Sequence, residues 1–134
     1  WTKVIKRNII IENKLFFPEG KNHEDLDWSF NLAEYISSYS LYDSYFYNYR
    51  VKRKGAITEF AKIKNTEDLL DITIHHLKGM DNIKESTLYK GLSKYIISQK
   101  SFIDDSYNHL IDEDKEKLLE KYIIFNNLIK KLIA

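Results

Sequence analysis

His23-Glu24-Asp25-Leu26-Asp27-Trp28 sets two adjacent carboxylates directly behind the turn segment Phe16-Phe17-Pro18-Glu19-Gly20, at the start of an apolar-faced stretch. Neighbouring acids repel each other and are costly to bury, so a packed core does not call for them. At a helix start they are stabilised by free N–H groups and by the positive end of the dipole. A carboxylate held there stays ionised at neutral pH and can accept a proton, the task of a general base. Ordinary acidic capping of a helix is the competing reading. Asp25-Leu26-Asp27 is an acid-x-acid pair, yet on a helix its side chains diverge by about 200° and cannot chelate one metal. Asp112-Glu113-Asp114 repeats that geometry at another helix start. His75 and His76 are adjacent, whereas a zinc pair on a helix prefers i, i+4 spacing. A second constellation, Tyr47, Tyr49, Arg50, Lys52, Arg53 and Lys54, mixes rings and cations. Cations pair with phosphate oxygens and rings stack on unpaired bases, although a solvated basic loop has the same composition.

These side chains need elements to hold them. Residues 2–11 read as a short amphipathic helix with Val4, Ile5, Ile9 and Ile10 on one stripe. Leu15-Phe16-Phe17 is a brief extended run closed by Pro18 and Gly20. The spacing then predicts a helix from His23 to Ser37, with Asn22 as N-cap and Asp25 at its third position. From Tyr39 to Val51 the period changes to two, which predicts one or two tyrosine-rich strands. Helices follow from about Asn65 to Gly79, from Ser86 or Thr87 with a stripe of Leu88, Leu92, Tyr95, Ile96 and Phe102, and from Asp112 onward. Their short connections predict a small antiparallel bundle. The fold class expected is α+β, predominantly helical, with a composition shift near residue 65 dividing residues 1–64 from 65–134.

Composition narrows the function. The chain of 134 residues has 43% hydrophobic and 31% charged residues, a globular balance. A net charge of +1 argues against a strongly basic nucleic-acid binder. With no cysteine there is no disulfide framework and no thiolate chemistry. No apolar run reaches the ~20 residues of a membrane span, and no signal peptide is visible. The chain opens on Trp1, so its natural start is expected to lie upstream.

In order and spacing, four short pieces within residues 1 to about 60 resemble the second half of family 2 glycosyltransferases of the GT-A fold. They are Trp1-x-Lys3-x-x-x-Arg7, Phe16-Phe17-Pro18-Glu19-Gly20, His23-Glu24-Asp25-x-x-Trp28 and Tyr47-x-Tyr49-Arg50-x-x-Arg53-x-Gly55-x-Ile57-Thr58. The order and spacing fit bacterial members that build surface polysaccharides. The resemblance implies an inverting transfer of a sugar from a nucleotide-diphosphate donor to a hydroxyl of a saccharide or lipid-linked acceptor. It implies Asp25 as general base, Glu24 and Trp28 as acceptor-site or supporting residues, and Arg50 and Arg53 as stabilisers of the leaving diphosphate. It also implies a divalent metal, Mg or Mn, whose acid-x-acid ligands belong to the family's nucleotide-binding half. That half lies outside these residues, so the chain alone is expected to be inactive. Ala56 stands where a serine is common, and Ile5 where a tyrosine is common. The helices after residue 65 resemble only variable C-terminal extensions.

Two further expectations follow from this resemblance. An apolar face along residues 1–20 and 39–50 is left for the absent half, or for a homodimer, to cover. The location is cytoplasmic, peripheral to the inner face of the membrane. From another class, the alternative is a helical interaction module that binds protein or nucleic acid through residues 45–54.

Overall fold

The computed structural model describes residues 3–44, 47, 48, 50, 63–84 and 86–134. Among them are five α-helices and a short 3-10 turn: α1 (Arg7–Glu12), α2 (Glu24–Ala33), α3 (Ile63–Gly79), the turn Met80–Ile83, α4 (Thr87–Asn108) and α5 (Asp112–Ile133). No described residue lies in a strand. The described residues are predominantly α, as expected; the tyrosine-rich β element expected beside the helices is not seen among them, and Tyr45, Tyr49 and Val51 of that stretch lie outside the described residues. No helix among the described residues is long and apolar enough to cross a membrane.

The starts and stops of the long helices follow local chemistry. Ser86, extended at φ −92°, accepts a hydrogen bond from the Tyr89 N–H on its side-chain oxygen and so caps α4. Asp112, Glu113 and Asp114 occupy the first turn of α5, and Lys130 and Lys131 its last, matching both ends of the dipole. α3 is the central element and packs against α2, α4 and α5. Leu69, Leu70, Ile72, Ile74 and Leu77 leave it almost no exposed apolar edge. Facing them are Ile96, Ile103 and Tyr107 of α4 and Leu118, Phe125 and Ile129 of α5. Leu26 and Phe30 of α2 belong to the same core, which therefore runs across the composition shift near residue 65.

Polar ties fix the register of the bundle. The Lys121 ammonium reaches Glu67 and Asp71 of α3 at 2.8 Å each. The rings of Tyr107 and Tyr122 stack at 3.9 Å, the Tyr107 hydroxyl donating to the Lys115 carbonyl and the Tyr122 hydroxyl to Asp104. Thr66 and Ser106 share a hydroxyl hydrogen bond of 2.8 Å across α3 and α4.

Several sequence expectations shift against this frame. The first helix runs Arg7–Glu12 rather than over residues 2–11; ahead of it Val4 is wholly exposed. α2 ends at Ala33 rather than Ser37, since Tyr35 and Ile36 beyond it are exposed and add no burial. Asn22 is not the N-cap; that position belongs to His23, in the left-handed conformation at φ 59°. Asp25 is consequently the second helical residue, not the third. The tyrosine strand is absent from residues 39–44, 47, 48 and 50. A strand of this pattern needs one buried face, and Tyr39, Leu41 and Tyr42 do not form one, being 82%, 87% and 76% exposed. α3 already runs at Ile63, ahead of the start read at Asn65. Thr66 and Asp68, in its first turns, are buried and hydrogen-bonded to Ser106 and Asn22 respectively.

Candidate functional site

The site grows from the first turn of α2. Pro18 and Gly20, the latter at φ 72°, reverse the chain after Phe17 and return it to His23. The Trp28 indole N–H donates to the Leu15 carbonyl at 3.0 Å, and the Phe17 ring stacks on the indole at 5.0 Å with an interplanar angle of 26°. A fixed aromatic wall results. It borders a surface cleft of about 430 Å³ that Lys3, Ile5, Ile10, Phe17, Asp25 and Ser29 complete. Asp25 is exposed there, at the positive end of α2. On its other side Trp28 borders a second cleft of about 230 Å³, with Lys14, Asn31, Glu34 and Tyr35 among its walls.

Asp25 and Asp27 divide as helical geometry requires. Asp27 turns toward the bundle, where its Oδ1 accepts a hydrogen bond of 2.8 Å from His76 Nε2. The His76 ring stacks on Phe30 at 4.4 Å, so α2 and α3 are joined by one polar and one aromatic contact. Burial pushes the His76 pKa down, against the opposing pull of Asp27 and Glu34 and with help from His75. Burial likewise lowers His23, whose ring meets Phe102 of α4 edge-on at 5.9 Å, against Asp25, Glu24 and Asp68. Tyr95 of α4 is pushed up, first by burial and then by the Asp25 charge.

Both imidazoles are therefore neutral in the fold and protonate more readily once it opens. The contribution is present above their ordinary value of 6.5 and is lost as pH falls from there through the lowered folded values. Urea midpoints should drop across that interval, and the drop should shrink in His76→Gln. An unchanged drop in that variant would show that His76 does not govern it.

Asp25 and Trp28 thus share one cleft. Glu24 is exposed beside them but lines neither cleft. Arg50 is exposed and also lines neither. Arg53 lies outside the described residues, as do Tyr49 and the basic run 52–54. Sequence reasoning missed Phe17 as the partner of Trp28, Lys3 as a cleft cation, and the Asp27–His76 tie. The last was hidden because 49 positions separate the two residues.

Among the described residues no group of three or more His, Cys, Asp or Glu could hold a metal ion. The acid-x-acid pair at Asp25 and Asp27 is split between a cleft and the bundle. Apolar side chains expected to be left uncovered are exposed, including Val4, Phe16, Phe17, Tyr39, Leu41 and Tyr42. No protein-family model, no curated protein and no solved structure matches the chain.

Proposed function

We propose that residues 1–64 form the acceptor-side part of an inverting family 2 glycosyltransferase of the GT-A type, with Asp25 as its general base. The observation that carries this reading is an exposed carboxylate at a helix start, in one cleft with a clamped aromatic wall. Sugars present apolar C–H faces to rings and hydroxyls to polar groups, and Trp28, Ser29 and Lys3 offer both kinds of contact around Asp25.

In the reaction, Asp25 takes the proton of the acceptor hydroxyl as that oxygen attacks the anomeric carbon. The new C–O bond forms on the face opposite the diphosphate. The old bond breaks, and the diphosphate leaves with its electron pair and inverts the centre. Arg50 and Arg53 are proposed to meet the charge on the leaving group. A divalent metal, as the resemblance implies, belongs with the nucleotide-binding half, and no step above depends on these residues holding it. The exposed apolar side chains of residues 4–17 and 39–42 support an association with that half. The donor is a nucleotide sugar, the acceptor a saccharide or lipid-linked sugar, and the location the cytoplasmic side of the membrane.

The test joins the chain to its donor-binding half and follows acceptor-dependent release of nucleoside diphosphate from a panel of UDP-, GDP- and dTDP-hexoses. Trp28→Ala should raise the acceptor KM by roughly 10-fold, the upper end of a ring contact's worth, with the donor KM unchanged. No acceptor-dependent release with any donor would retire the transferase reading.

A further inference from the structure

Asp68 is a carboxylate in the wrong place for a surface residue. It lies on α3, only 8% exposed, under the segment that leads into α2. A buried carboxylate persists only when its oxygens are satisfied. Here Oδ2 accepts the Asn22 backbone N–H at 2.9 Å, the Asn22 side-chain amide at 3.1 Å and the Lys64 ammonium at 2.9 Å. Lys64 also reaches Oδ1, at 3.1 Å. Burial alone would raise the carboxyl's pKa; the Asn22 backbone bond, Lys64 and the Asn22 side chain together hold it below the usual value.

Those bonds cross 46 positions of sequence and end one residue before His23. His23 is left-handed, a conformation that a residue with a side chain keeps only where its surroundings impose it. Asn22 is anchored on one side of it, and the Phe102 ring meets the imidazole on the other. α2 begins immediately afterwards, and Asp25 is its second residue. The direction in which that carboxylate enters the cleft is therefore set from the bundle.

We infer that Asp68 is a positioning residue for Asp25: by anchoring Asn22 it fixes the left-handed turn at His23 and so the aim of the first turn of α2. The inference rests on the transferase reading, and it gives the helical extension a share in the reaction.

Two measurements test it. In amide proton–nitrogen spectra of the 134-residue chain, Asp68→Ala should move the signals of residues 22–28. Asp68→Asn, which keeps an oxygen for the Asn22 N–H, should leave them near their wild-type positions. Unmoved signals in Asp68→Ala overturn the inference. In the enzyme joined to its donor-binding half, the hexose panel above should show kcat lowered about 100-fold by Asp68→Ala. The donor KM should stay constant, and Asp68→Asn should recover most of the rate. Equal losses in both variants mean that charge matters rather than aim, which also overturns it. Wild-type kcat in Asp68→Ala beside an inactive Asp25→Asn removes the positioning role alone. An active Asp25→Asn removes the base assignment and this inference together. Should Asp68→Ala fail to fold, Asn22→Gly takes its place; it deletes the side-chain bond and loosens the backbone before His23. A lower kcat at constant donor KM is expected there too, and an unchanged kcat counts against the inference.

Discussion

In the proposed transferase, with this chain joined to a donor-binding half, Asp25→Asn is expected to lower turnover by about 10²–10⁴-fold while donor binding stays nearly intact. The amide is almost the same size as the carboxylate, so the cleft with Trp28 and Phe17 keeps its shape. What disappears is the group proposed to take the acceptor's proton. The same exchange at Asp27 provides the contrast. That residue meets His76 at 2.8 Å and does not line the cleft. Asp27→Asn should therefore shift the urea midpoint more than it shifts kcat. Turnover by Asp25→Asn within twofold of wild type would end its candidacy as the base.

The second large effect is one of stability. Phe125 is fully buried between α5 and its neighbours, in the cluster that includes Ile96, Ile103 and Ile129. Phe125→Ala removes a ring from close-packed surroundings and should destabilise the chain by about 3–5 kcal/mol. Total stabilities run to only about 5–15 kcal/mol, so the loss takes a large share of what holds the chain folded. Phe102→Ala is the matched control, since that ring is 50% exposed and should cost about 1 kcal/mol or less. Equal urea midpoints for the two variants would mean that the packing around Phe125 has been misjudged.

Those two phenylalanines show where the sequence was legible and where it was not. For α5 the periodicity selects Leu118, Tyr122, Phe125, Leu128, Ile129 and Leu132; Leu118, Phe125 and Ile129 are buried, and the other three are half-buried against the core. For α4 the stripe was read through Phe102, and the core takes the adjacent Ile103 together with Tyr107. Large side chains at neighbouring positions both satisfy a helical pattern, and only the partner surface chooses between them. Capping was readable at Ser86, a chemistry confined to a few adjacent residues. The start of α2 was not, because Asn22 and His23 are governed by Asp68 and Phe102, far along the chain. The tyrosine alternation did not carry over in the same way: a strand is a property of a pair, and residues 39–44 take no strand conformation. In the candidate site, Asp25 and Trp28 were readable as a motif, whereas Phe17 and Lys3 became part of it only through the folded turn.

The clamped indole also makes the molecule its own optical gauge. Trp28 is held by the Leu15 carbonyl and covered by a phenyl ring, and the sequence has only one other tryptophan, Trp1. With Trp1 changed to phenylalanine, fluorescence colour and anisotropy become a direct readout of whether the 15–17 segment is seated or has swung away. No dye has to be attached, and a single cuvette can follow the cleft's edge in real time.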